Sequence, residues 1–191
     1  MSKSRIFLKT SVIVKLTILF STLVTCFARW SISSEASTQK PIAEAIPLAI
    51  KPDLKNNRTA EELARIAQLV HQEVNEYRAS KDLAPLKFNT LISEQARIHS
   101  ENMAQQTVKF GHGGFSDRVQ ALKKSISYGG VAENVAYNMG YKDPVGRAVT
   151  GWIESNGHRQ NMVGNYNLTG VGVATNPQGE YYFTQIFILE N

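Results

Sequence analysis

Tyr181-Tyr-Phe-Thr-Gln-Ile-Phe-Ile-Leu189 is apolar on both sides of an extended chain. Tyr181, Phe183, Phe187 and Leu189 project one way; Tyr182, Ile186 and Ile188 project the other. Side chains alternate faces along a strand, so this strand needs cover above and below. Upstream, Thr169-Gly-Val-Gly-Val-Ala-Thr175 is a second strand, and Asn176-Pro-Gln-Gly179 between them has hairpin chemistry. Gly130-Val-Ala-Glu-Asn-Val-Ala136 is short and β-prone and reads as a third.

The covering layers come from helices. Thr59-Ala-Glu-Glu62 is a capping box, and Leu63, Ile66, Val70, Val74 and Tyr77 follow at helical spacing. A second helix runs from Asn89 or Thr90 to Gln106, with Ile92, Ala96, His99 and Met103 along one stripe. Asp143-Pro144 pairs an N-cap with Pro at the first helical position and opens a third. Its apolar face is Val145, Ala148, Val149 and Trp152, and Asn156-Gly157 ends it. Helices before and between antiparallel strands predict an α+β domain over residues 58–191, a three-layer α–β–α sandwich around a mainly antiparallel sheet.

Outside that domain the chain changes character. Residues 29–57 are rich in Ser, Thr, Ala, Pro and Lys without a sustained period, and read as a flexible linker. Residues 1–28 carry Lys3, Arg5, Lys9 and Lys15 and no acidic residue, followed by an apolar run from Leu16 to Ala28. That run has the length of a signal-peptide core, with small residues for cleavage after Ala28 or Ala36. The competing reading is an uncleaved anchor, because Val12-Ile13-Val14 extends the apolar stretch across Lys15. Export to an extracellular or periplasmic compartment is the expectation, with membrane attachment only if the segment is retained.

The formal net charge of +5 belongs largely to this segment, since removing its four basic residues leaves +1. No Lys/Arg stripe interleaved with aromatics remains, which argues against a nucleic-acid partner. The one cysteine, Cys26, excludes a disulfide framework and a thiolate-rich zinc site. With 191 residues, the chain has room for one domain with a substantial core.

Gly-x-Ser-x-Gly, His-Glu-x-x-His, the phosphate-binding glycine loop and the dinucleotide fingerprint are all missing. Four residues stand in unusual settings. His112 lies in Phe110-Gly-His-Gly-Gly-Phe115, where glycines allow close backbone approach, and either serves a site or stabilises its loop. Glu133, among small apolar residues in a predicted strand, needs a cation, a donor-rich pocket or a metal. His158 follows Asn-Gly and is either a ligand or a helix-terminal histidine; Glu154 precedes it by four residues. His99 reads as a satisfied core histidine and His71 as solvent-facing.

Taken in order, Gly-His-Gly-Gly-Phe-Ser-Asp-Arg118, Val-Ala-Glu-Asn-Val-Ala136, Trp-Ile-Glu-Ser-Asn-Gly-His-Arg-Gln-Asn-Met162, Thr-Gly-Val-Gly-Val173 and Tyr-Phe-Thr-Gln-Ile-Phe187 resemble the CAP superfamily. This superfamily groups cysteine-rich secretory, antigen 5 and pathogenesis-related proteins, and its domain is also called the SCP domain. The likeness is to the bacterial, secreted, cysteine-poor branch and covers roughly Ala67 to Leu189. It implies an α–β–α sandwich with a central cleft of two His and two Glu, which in some members binds a divalent metal such as zinc. His112, Glu133 and His158 match three of those positions. The fourth is in doubt, because the family places it three residues after the Trp, where this chain has Ser155, and Glu154 comes one earlier.

The resemblance implies a non-catalytic domain binding an apolar ligand, a divalent metal or an envelope partner. The alternatives it leaves open are a metal-dependent, protease-like hydrolase and a purely structural envelope domain.

Overall fold

The computed structural model describes residues 58–191, so the signal or anchor segment and the linker lie outside the described residues. The order is α1 (Ala60–Ala79), β1 (Lys87–Phe88), α2 (Thr90–Ala104), α3 (Phe115–Lys123), β2 (Tyr128–Met139), α4 (Pro144–Glu154), α5 (Asn156–Val163), β3 (Leu168–Thr175) and β4 (Glu180–Glu190).

The caps expected at Thr59 and Asp143 form, and Asn89 adds one at α2. Glu62 N–H donates to Thr59 Oγ1 at 3.2 Å while Thr59 N–H donates back to Glu62 Oε2 at 2.9 Å. Asn89 Oδ1 accepts from Leu91 and Ile92 at the start of α2, and Asp143 Oδ1 accepts from Gly146 ahead of α4. Each satisfies amide donors that a helix N-terminus leaves without intrahelical partners.

The sheet runs β1-β3-β4-β2, antiparallel except for the short parallel pair β1–β3. Central β4 is covered on both faces, as its pattern requires. Phe183 and Phe187 pack with Val70 and Val74 of α1, Val149 and Trp152 of α4 and Met162 of α5. Ile186 and Ile188 pack on the opposite face with Ile92 and Ala96 of α2 and Leu122 of α3. The α–β–α sandwich therefore follows from one strand's alternation.

Two glycines set how closely α2 lies on the sheet. A Cβ at Gly172 would stand 2.0 Å from Arg97 N, and one at Gly170 would stand 2.2 Å from Ser93 N. The helix backbone occupies the space a side chain would take, which fixes where His99 and the following loop emerge.

Three local expectations need correction. The third predicted helix stops at Glu154, and a separate α5 begins at Asn156 rather than the helix ending there. Ser155 is extended (ψ 121°) and breaks the turn, so Asn156-Gly157 opens a helix. The helix α3 and the two-residue β1 also join the expected elements. His71 is half-buried instead of solvent-facing: Nε2 lies 2.9 Å from Leu86 O, and its ring packs edge-on against Phe88 at 5.2 Å.

Candidate functional site

The loop after α2 carries the first candidate residue. Gly111 has φ +136° and Gly114 has φ +74°, conformations that favour glycine, and Gly114 turns the chain into α3. One turn later Arg118 folds its side chain back, its Nη1 donating to Gly113 O at 2.7 Å.

The rest of its guanidinium grips Glu133 on β2. Nε donates to Oε2 at 3.0 Å, and Nη2 stands 2.8 Å from both carboxylate oxygens. The Glu133 side chain is 1% exposed and that of Arg118 10%, so this pair is shielded from water. It answers the demand read from the sequence, that a carboxylate between small apolar residues must have a charged partner.

His112 completes the contact. Its Nδ1 lies 3.0 Å from Glu133 Oε1. A carboxylate only accepts, so Nδ1 donates, and Nε2 is the nitrogen of the neutral ring left with a free lone pair. Half of the His112 side chain is exposed, so that nitrogen is within reach of a ligand. His158, in the first turn of α5, places its ring 6.4 Å from the His112 ring, centroid to centroid. Burial chiefly, and the nearby His112 secondarily, hold the His158 pKa below the usual histidine value.

The position of α5 depends on the free edge of β2. Asn134 Nδ2 donates to His158 O at 3.1 Å, while Asn161 Nδ2 donates to Glu133 O at 3.2 Å and to Asn134 Oδ1 at 2.9 Å. Trp152 Nε1 donates to Val135 O at 3.1 Å. Side chains thus take up outward carbonyls that no described strand pairs, and the same bonds carry His158 toward His112.

His99 lies behind the site. Arg118 Nη1 is 3.1 Å from its Nδ1, and its Nε2 is 2.7 Å from Gly111 O. Arginine only donates, so Nδ1 accepts and Nε2 carries the proton to the carbonyl. Burial first, with Arg118 adding to it, lowers the His99 pKa. This is the satisfied core histidine expected, and it supports the glycine loop from beneath.

His112, Glu133 and His158 therefore come together from a loop, a strand and a helix, and Glu154 does not join them. Its carboxylate is 67% exposed, with Arg147 Nη1 4.0 Å away. Arg118 was not singled out from the sequence, although it stands in the quoted Gly-His-Gly-Gly-Phe-Ser-Asp-Arg118. The signal was the buried carboxylate, which required a cation.

The profile of the cysteine-rich secretory protein family, CAP, matches residues 71–187. The chain belongs to the CAP family. A membrane protein of Bacillus subtilis, YlbC, named as uncharacterized, is 34% identical over 119 residues. That match covers 60% of this chain and 32% of YlbC, so the chain spans about a third of that relative. Among solved structures, a cysteine-rich secretory protein (SAV1118) from Staphylococcus aureus aligns at 25% identity with a TM-score of 0.55, covering 70% of this chain and 41% of that one. An extracellular SCP-domain protein from Bacillus anthracis aligns at 25% identity and a TM-score of 0.55, covering 69% and 44%.

In this CAP domain no group of three or more His, Cys, Asp or Glu side chains is arranged to hold a metal among the described residues. Glu133 explains why, since Arg118 and His112 occupy both of its oxygens. The donors fit a divalent metal in a narrower sense. Two imidazoles could ligate, with the carboxylate orienting one of them by a hydrogen bond to its other nitrogen. Phe110, two residues before His112, and Tyr137, four residues after Glu133, are each about half exposed and meet edge-on at 5.5 Å.

Proposed function

We propose that this CAP domain is a non-catalytic, extracytoplasmic binding module whose cleft takes a divalent cation such as zinc through His112 and His158. Glu133 orients His112 and does not ligate, and Arg118 fixes Glu133. The observation that carries this reading is the His112 Nδ1–Glu133 Oε1 bond on a carboxylate already held by arginine. It leaves Nε2 as the lone-pair nitrogen, beside a second imidazole whose surroundings favour the neutral, metal-competent form. A bound cation would supply a positive charge with open coordination positions for a ligand from solution. The half-exposed Phe110–Tyr137 pair, close in sequence to His112 and Glu133, supports an apolar group on that ligand.

Binding is favoured over hydrolysis by ligand arithmetic. Catalytic zinc sites use three protein ligands plus water, and Glu133 is committed elsewhere. The basic-then-apolar sequence of residues 1–28 supports placement outside the cytoplasm, as do relatives named as secretory or extracellular. No helix among the described residues is long and apolar enough to cross a membrane.

Isothermal titration of the full chain with zinc tests the reading. His112→Ala and His158→Ala should each abolish the heat, Glu133→Gln should weaken affinity about 10- to 100-fold, and Glu154→Ala should change nothing. Equal affinity in wild type and His158→Ala would remove the metal cleft. Turnover that vanishes with chelator would replace binding by catalysis.

A further inference from the structure

Among the described residues, strand β3 has an edge that β1 covers only in part, set back between two helices. β1 pairs with it only at Leu168 and Thr169, because the chain then leaves the sheet at Asn89 to cap α2. Asn89 N–H donates to Thr169 O at 2.8 Å, so the backbone groups of Thr169 face this edge. By the two-residue period of a strand, those of Val171 and Val173 face it as well. Ser93 Oγ bonds Val171 O, and among the described residues no strand takes up the outward N–H and C=O of Val173, which is 3% exposed at the floor of the slot.

Beyond the end of β1, that row opens into a groove of about 590 Å³ lined by Val171, Gly172 and Val173. Leu63, Ala64 and Ala67 of α1 form one wall, and Ser93, Glu94 and Arg97 of α2 the other. The α1 wall is mainly apolar, with Gln68 as its polar member, and the α2 wall offers hydrogen-bonding groups.

We propose that this groove docks an extended peptide of a partner protein, which continues the row of β1 and adds a strand to β3. The existing β1–β3 pairing supplies the register, and the outward backbone of Val173, unpaired among the described residues, supplies the bonds. The walls set the side-chain pattern: apolar residues toward Ala64 alternate with small polar residues toward Ser93. The edge of a second folded copy fits less well, since α1 and α2 flank the slot on both sides. A fatty acid is disfavoured because both lining arginines are already engaged. Arg97 is bonded by Glu94 and Glu101, and Arg58 by Tyr181 Oη at 2.9 Å with Glu62 at 3.6 Å.

Hydrogen–deuterium exchange on the full chain tests this with the probe Ac-Ser-Val-Thr-Val-Ser-NH2, titrated to about 10 mM as befits a weak, short strand. Exchange in residues 169–175 should slow by about tenfold at saturation. The same peptide methylated on the main-chain nitrogen of all five residues keeps its side chains but loses the N–H donors that strand pairing uses, and should have no effect. Ala64→Trp fills the slot from an exposed position; it should melt like wild type and show no response to the probe. Four results would overturn the proposal: no slowing at the highest concentration, equal slowing by the methylated peptide, equal slowing by dodecanoate, or complete protection before any peptide is added. The last would assign the groove to residues preceding Arg58.

Discussion

Replacing Glu133 by Gln isolates the interaction on which the cleft is built. The substitution keeps shape and volume but leaves the Arg118 guanidinium charged and only 10% exposed. Of the three short contacts from Nε and Nη2, the amide oxygen can accept part, while the amide NH2 meets arginine donors head-on. Removing one partner from a buried ion pair costs about 3–5 kcal/mol, because the other charge stays desolvated without compensation. In a domain of this size each kcal/mol moves the melting temperature by roughly 3–5 °C, so the variant should melt about 10–20 °C lower. Differential scanning calorimetry reads that directly. Arg118→Met should cost a similar amount by stranding the carboxylate. Arg118→Met with Glu133→Leu should recover most of the loss, since apolar groups can replace a buried pair at little net cost. With Glu133→Leu as the matching single variant, a coupling of at least about 5 kcal/mol would then appear in the cycle. Glu133→Gln melting within about 3 °C of wild type would refute the reasoning, for it would mean that water screens the pair.

Two further predictions concern the ground beneath the site. Gly172→Ala would put a methyl group 2.0 Å from Arg97 N and 2.2 Å from Ala96 C, so α2 must lift off the sheet; the expected loss is about 4 kcal/mol or more by chemical denaturation. Gly151→Ala in α4, where nothing lies within 4 Å of the new methyl, should instead stabilise by about 0.5–1 kcal/mol. The second prediction is a pH dependence. His99 and His158 both have native pKa values below the ordinary ~6.5, so below that pH the unfolded chain binds protons that the native state refuses. Their contribution is complete above about pH 7 and is lost as pH falls through 6.5 toward the lowered native values. Melting temperature should therefore fall from pH 7 to 5, with a shallower slope in His99→Gln; equal slopes in the two proteins would exclude His99 as a source.

What could be read from the sequence, and what could not, divides by the length of the pattern. β4 shows both of its covering layers over nine residues, and the caps read at Thr59 and Asp143 are local signals with a fixed physical meaning. The α5 segment is mostly polar with only Met162 buried, because Asn161 bonds the edge of β2 rather than packing into a core, so neither periodicity nor burial announces it. The two residues of β1 carry no period at all. The site shows the same division more sharply. Glu133 between Ala132 and Asn134 requires a donor set, and that requirement is legible from one strand. Its supplier, Arg118, sits on a nine-residue helix behind a run of glycines, where only Phe115, Val119 and Leu122 keep helical spacing. Even with that helix assigned, sequence spacing could not say that the arginine turns back under the loop, because its direction depends on Gly113 O and on His99 reaching across from α2. The need for a partner is local, whereas its identity belongs to the tertiary structure. That is why three of the four clustered residues, His112, Glu133 and His158, were found in the sequence and the one that holds them was not.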